Sequence, residues 1–410
     1  MSDVSHSDAC AHAAAMREAL FRLRQNLARF PGARRVAEVL AAAVDEWRRG
    51  TSTECRAALA AISANSNWSP QLVDASMDAL LAPFSLDALI SFAATMTARA
   101  RLGGFIMPAN VPGGGLHELV AALLSGAAAI VKTSHREPVF FPAFAHTLRR
   151  VDRAIGNRLE VVTFGRERDD LIRIMNDECD FIVALGDDAS LARLAGASRR
   201  FGFGSRTSGA LISLAPPTNF AALADAVARD VVLFEQQGCL SPHHIFIDGG
   251  DDAAARDFAR SLALALSMLA EALPPAKLSF HTAAAIRRIR ERARWRMIGA
   301  HDAELIEDRT MAWTVVFDPS AHFTMSPGYR TMTVSTIRDA DDLASRLAPV
   351  TGRLEAFALA VAGPTRVRFL DVLAGAGVTY VCDPGRMQSP PLNWPHGGGA
   401  FLDFLAGRDE

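Results

Sequence analysis

The sequence predicts an α/β protein whose parallel sheets are covered by helices, preceded by a helical N-terminal region. From about residue 100 onward, strand-like and helix-like stretches alternate with short connections between them. Before that point, apolar residues recur three and four apart in REALFRLRQNLARF and MDALLAPFSLDALISFAATM. Half of the 410 residues are apolar, enough for a large core spread over two or three domains.

Residues 1–100 read as several amphipathic helices that pack on the domain after them. The first α/β domain is expected over 101–215. It opens with a strand at GGFIM, a loop at PANVPGGG, a helix at LHELVAALLSG and a second strand at AAIVK, which together make a βαβ unit. A helix over 138–152, a strand at LEVVTFG, a helix over 168–176, a strand at DFIVALG and a helix at ASLARLAG continue the alternation. Pro216-Pro217, after the strand-like ALISLA, reads as a hinge. A second α/β domain is expected over 216–389, with a helix over 219–236 leading into the turn FEQQGCLSPHH. Strands follow at HHIFID, WTVVFD, TMTVST, FALAVAG and VTYVCD. A Pro/Gly-rich tail occupies 390–410.

Charge and cysteine usage narrow the function. The 43 basic and 45 acidic residues are evenly mixed, which argues against nucleic acid or an anionic membrane as the main partner and favours a small molecule. The first twenty residues lack a basic region followed by an apolar one, so no secretion signal is expected. The apolar stretch LALALSMLA falls well short of the roughly 20 residues that cross a bilayer. A cytoplasmic protein without a membrane span is expected. The cysteines at 10, 55, 179, 239 and 382 form no Cys-x-x-Cys pair, which predicts reduced thiols and no structural metal.

Four places could carry chemistry. Cys239, between a helix and a strand, is either a small buried residue or a nucleophile presented into a cleft. A metal site using His243 and His244 is disfavoured, because adjacent residues of a strand face opposite ways. Asn110, in PANVPGGG, is a turn former or an oxyanion donor, and glycines 113–115 would let a ligand approach. Lys132 is one of just two lysines against 41 arginines. It ends a parallel strand, where open sheets bind ligands, and is either a chance retention or a point charge for a ribose or phosphate. Gly186 could approach a diphosphate, with Asp188 as a helix cap. GFGSRTSG, at 202–209, lacks the Gly-x-Gly-x-x-Gly spacing and has no clear strand before it, so it is not a dinucleotide fingerprint.

Taken together, from about residue 100 to the end, these pieces resemble the aldehyde dehydrogenase superfamily, and within it the acyl-CoA reductase branch typified by LuxC. Pro-x-Asn-x-Pro at 108–112, the strand ending in Lys132 and the distant Cys239 match the superfamily. Glu-Gln-Gln-x-Cys-x-Ser-Pro around the cysteine and GRMQSPPLNWPHGG in the tail match the branch. The resemblance implies a Rossmann-type cofactor domain and an α/β catalytic domain. It implies Cys239 as nucleophile, Asn110 as oxyanion donor and His396 as a further catalytic residue, with Lys132, Ser134, His135, Arg136, Thr163, Gly165 and Gly186 around the cofactor. The reaction it implies is NADPH-dependent reduction of an acyl-CoA or acyl-carrier-protein thioester to an aldehyde, by a homo-oligomer working with an acyl-activating partner enzyme. A cysteine-dependent acyltransferase or a non-catalytic scaffolding relative could use the same frame.

Three departures from the related patterns are visible. The water-activating glutamate of oxidising members is replaced by FGSRTSGALI, which holds no acid. The ribose-binding glutamate of NAD enzymes becomes His135, followed by Arg136, which favours a 2′-phosphate and hence NADPH. The reductase branch carries an acidic residue directly after the tail histidine, where this chain has Gly397.

Overall fold

The computed structural model describes residues 2–192, 194, 199–214, 219–249, 251–300 and 302–408. The expected hinge at Pro216-Pro217 and part of the helix at ASLARLAG lie outside the described residues.

Five helices come first: α1 (Ser2–Leu27), α2 (Ala33–Arg49), α3 (Thr53–Ser66), α4 (Pro70–Leu81) and α5 (Leu86–Ala93). Ser52, Ser69 and Ser85 each accept a hydrogen bond from a first-turn backbone N–H of α3, α4 and α5, which fixes where those helices start. By length and composition the stretch Pro70–Ala93 would suffice to span a bilayer. It is nevertheless two helices, broken between Leu81 and Leu86, and Leu72, Val73, Met77, Leu81, Phe84, Leu89 and Phe92 enter the protein core.

The first sheet is wholly parallel, in the order β3-β2-β1-β4-β5. Its strands are β1 (Leu102–Ile106), β2 (Ala128–Thr133), β3 (Leu159–Thr163), β4 (Phe181–Leu185) and β5 (Arg200–Phe203). The interior strand β2 is buried along its whole length, which is why it opens on the apolar run AAIV. On one face α1 places Met16, Leu20 and Leu23 against Leu102, Ala128 and Ile130. Burying a leucine such as Leu23 contributes about 1.5–3 kcal/mol. On the other face lie α6 (Leu116–Leu124) and α7 (Phe140–Val151), with α2 packed on both.

The second sheet has the order β12-β11-β6-β7-β10-β9-β8, parallel except for the antiparallel pair β8 and β9. Its strands are β6 (Thr207–Ser213), β7 (Pro242–Asp248), β8 (Glu304–Glu307), β9 (Thr314–Phe317), β10 (Thr331–Ile337), β11 (Leu354–Ala360) and β12 (Tyr380–Cys382). β6 pairs with β7 and β11. The strand 207–213, read from sequence with the first domain, therefore belongs to the second sheet, and the chain crosses between sheets at 204–206. GFGSRTSG spans that crossing: it begins inside a short edge strand, β5, and ends inside β6.

Candidate active site

The helix Phe220–Val232 runs into a turn whose backbone is unusual. Phe234, Glu235 and Gln236 have φ of 56, 52 and 59°, the left-handed region, at roughly 1–3 kcal/mol each for residues other than glycine. Each is buried and held. The Phe234 N–H donates to Ser76 Oγ at 3.1 Å. Glu235 pairs with buried Arg330 at 2.6 Å. The Gln236 amide donates to Pro242 O at 2.7 Å and accepts from Thr331 N at 2.8 Å. Glu-Gln-Gln is thus the brace of a strained turn that puts the half-buried Cys239 at the boundary between the two sheets. Behind it, Ser208 Oγ donates to Cys239 O at 2.7 Å.

Three chain segments meet at the cysteine turn and the histidine beside it. Asn110, on the loop after β1, donates from Nδ2 to Gln237 O at 2.6 Å, so its amide sits on the cysteine turn and keeps its second N–H. His396, in the tail, places Nε2 3.9 Å from Cys239 Sγ. Its Nδ1 lies 2.5 Å from Oε1 of Glu118, on α6. The His396 ring is stacked between Phe203 and Trp394, with centroids 4.2 Å away on either side. Burial disfavours the imidazolium, but the Glu118 charge and the hydrogen bonds to Cys239 and Glu118 outweigh it and raise the His396 pKa well above its ordinary value. Burial likewise acts to raise Glu118, and the facing His396 overcomes it, so the carboxyl is held below its usual range.

Glu118 was not identified in the sequence. Position 397 is glycine, with φ of +65° and a Cβ that would meet Phe203 Cδ1 at 2.8 Å, and the carboxylate beside His396 comes from α6. The available signal was an acid inside LHELVAALL, a helix in which every position except His117 is buried.

Two further sequence readings change. A Cβ on Gly113 would meet Leu80 Cδ2 at 2.4 Å, and one on Gly115 would meet Met107 Sδ at 2.5 Å, so these glycines make room for the protein itself rather than for a ligand. At the end of β4, Asp187 Oδ1 accepts from Ser190 N at 2.7 Å, while Asp188 accepts from Ser205 N at 3.1 Å across the sheet crossing. The cap is Asp187, not Asp188.

The residues expected around a cofactor gather at the C-terminal ends of β2, β3 and β4. Lys132 is nearly buried. Its Nζ lies 5.4 Å from the centroid of the Phe164 ring, and among the described residues it makes no hydrogen bond. Burial lowers its pKa, partly offset by Glu167. Ser134 Oγ accepts from Arg136 N at 3.2 Å, and His135 and Arg136 are exposed on that turn. Thr163 Oγ1 pairs with Thr133 Oγ1 at 2.7 Å, and Gly165 follows β3. The Gly186 N–H donates to Phe203 O at 3.1 Å, one step from the ring that stacks on His396. A buried ammonium without a hydrogen-bond partner at the open edge of a parallel sheet fits a ligand with anionic or hydroxyl groups. His243 and His244 face Ser326 and Ser335 at 2.9 and 2.8 Å, and burial pushes them down to about 4 and about 3. Both act as neutral core residues.

Comparison with known proteins bears on the fold and the family. The family model described as acyl-CoA reductase (LuxC) matches residues 76–408. A long-chain acyl-protein thioester reductase of Aliivibrio fischeri is 24% identical over 309 residues, covering 73% of this chain and 61% of that one. Long-chain acyl-protein thioester reductase 2 of Photobacterium leiognathi is 22% identical over 301 residues, covering 72% and 60%. The chain thus spans about three-fifths of the length of these relatives. Among solved structures, an NAD-dependent benzaldehyde dehydrogenase from Corynebacterium glutamicum superposes with a TM-score of 0.72 at 14% identity, covering 96% of this chain and 87% of that one. A glyceraldehyde-3-phosphate dehydrogenase from Methanocaldococcus jannaschii, complexed with NADP, superposes with a TM-score of 0.66 at 13% identity, covering 91% and 86%. The fold is that of the aldehyde dehydrogenases, and the chain belongs to the acyl-CoA reductase (LuxC) family.

Proposed function

We propose that this protein reduces an acyl thioester to an aldehyde through an acyl-Cys239 intermediate. The observation that carries the reading is the meeting at one turn of a thiol, an imidazole 3.9 Å away and the Asn110 amide. The thiolate is the attacking form of a cysteine, and His396 Nε2 is placed to take its proton. Asn110, through its second N–H, and the Cys239 backbone N–H are the donors for the oxygen that becomes negative on attack. A thiol leaving group departs without a strong acid, since its pKa is about 8.5. The stretch 202–209 contributes the Ser208 hydroxyl behind the cysteine and no carboxylate to activate water.

Lys132, Ser134, His135, Arg136, Thr163, Gly165 and Gly186 would hold a nicotinamide dinucleotide along the edge of the first sheet. When bound, that cofactor supplies the hydride that turns the acyl carbon into an aldehyde. The exposed His135 and Arg136 favour NADPH. The long-chain acyl-protein thioester reductases similar to this chain favour a fatty acyl group, carried on CoA or a carrier protein.

The test is cofactor oxidation and aldehyde release over a panel of acyl-CoA esters, with mass spectrometry of the Cys239 peptide. Wild-type protein should consume NADPH and carry an acyl adduct on Cys239, and Cys239→Ala should lose both while still binding cofactor. Cys179 and Cys382, which burial pushes up to about 12, should be silent to substitution. Substantial aldehyde formation by Cys239→Ala would overturn the reading.

A further inference from the structure

A histidine 3.9 Å from a thiol serves it only if the ring is held in that orientation and its charge is balanced once the proton arrives. We propose that Glu118 is the positioning residue of this site, fixing His396 with Nε2 toward Cys239 and balancing the imidazolium formed when the thiol proton is taken. This rests on the reading of Cys239 as the nucleophile.

Glu118 is 3% exposed, yet its Oε1 lies 2.5 Å from His396 Nδ1. A carboxylate there makes Nδ1 the donor and turns Nε2 to the thiol, the tautomer that proton acceptance requires. Phe203 and Trp394 block rotation of the ring by stacking on both faces. Leu116, Leu119, Val120 and Leu123 seat α6, so the carboxylate has little freedom of its own.

The charged and titratable groups facing His396 are few. From α6 come Glu118 and the neighbouring His117, whose pKa burial lowers. The cysteine turn presents Cys239. Next to His396, the Gly397 N–H donates to Glu355 on β11 at 3.1 Å, and Arg206, in the sheet crossing, donates to Gly397 O at 3.4 Å. Glu118 is the carboxylate on the ring itself.

The proton account closes. The Cys239 S–H bond breaks and its proton moves to His396 Nε2, while sulfur forms a bond to the thioester carbon. When the bond from carbon to the departing sulfur breaks, its electron pair leaves on that sulfur, which takes the proton back from His396. Glu118 stays ionised throughout and nothing is oxidised or reduced.

Alkylation of Cys239 by iodoacetamide tests this without thioester or nicotinamide, so its outcome is separable from the reductase reading. At about pH 6.5, below the ordinary thiol titration, Glu118→Gln and His396→Ala should each slow alkylation about ten-fold or more, and Glu118→Asp should recover to within about three-fold of wild type. In NMR spectra of the histidine rings, Glu118→Gln should lower the pH at which His396 titrates. Thermal unfolding identifies any variant that fails to fold, for which Glu118→Asp and the NMR titration of wild-type protein remain as readouts. A folded Glu118→Gln protein that alkylates at the wild-type rate, or an unmoved His396 titration, would overturn the proposal. Alkylation that depends on Glu118 in a protein that reduces no thioester would leave it standing and remove the reductase reading.

Discussion

Glu235 and Arg330 meet at 2.6 Å with side chains 1% and 0% exposed, and their contact joins two left-handed stretches of backbone, 234–236 and 329–330. Tyr329 N reinforces the junction by donating to Glu235 O at 2.9 Å. Burial raises the Glu235 pKa and lowers that of Arg330, against their mutual attraction, so desolvation is the dominant influence on both.

Removing one partner strands a buried charge. Arg330→Ala is expected to destabilise the protein by about 3–5 kcal/mol in urea unfolding, whereas Glu235→Gln combined with Arg330→Met should cost less than either single change. The measurement to watch is the urea midpoint of the three variants. A double variant as unstable as Arg330→Ala would mean that the pair itself, not the orphaned charge, holds the turn.

A second buried carboxyl gives a pH dependence. Burial pushes Asp230 up to about 7, against hydrogen bonds from Gly385 N and Met387 N, which pull it down. Its folded pKa lies above the unfolded value of about 3.9, so the folded state binds more protons in between, and stability falls as pH rises through about 7. The contribution is fully present below about pH 4 and amounts to at most about 4 kcal/mol. Urea midpoints from about pH 5 to 8 should decline in wild-type protein and flatten in Asp230→Asn. Equal slopes in the two would assign the dependence to another group.

The turn after β2, proposed to hold the cofactor, makes its own prediction. Glu137 is the acid closest to Lys132 in sequence on that turn, but it accepts from Val139 N at 3.2 Å and Phe140 N at 2.9 Å, so its carboxylate is committed to the start of α7. His135 and Arg136 are left facing outward. NADPH should bind more tightly than NADH, and His135→Glu should weaken NADPH by about ten-fold, the scale of one unfavourable charge contact of about 1.4 kcal/mol. Fluorescence titration of the two cofactors reads this directly, and a wild-type preference for NADH would contradict it.

Much of this architecture was legible because buried parallel strands are locally distinctive. AAIV and FIVAL are unbroken apolar runs, and both lie in interior strands. β5 and β8 were missed because they are sheet edges, partly exposed, and lack that signature. β6 was legible as a strand but not as a member of the second sheet, since membership is decided by pairing with β7 and, about 150 residues later, β11, and not by local pattern. The site followed the same division. Cys239, Asn110 and His396 sit in recognisable motifs, whereas Glu118 acquires its meaning from a partner 278 positions away.

The thiol and the imidazole are 157 residues apart in the chain, the thiol first. At roughly 5–20 residues per second on the ribosome, Cys239 is made on the order of 10–30 s before His396 exists. A nascent chain therefore carries the Cys239 thiol for that interval without His396, and the couple proposed for the reaction comes into being only when the tail has been synthesised and has docked beside the cysteine turn. The proposed chemistry at the cysteine is, in this sense, delayed until the segments on both sides of it have folded together.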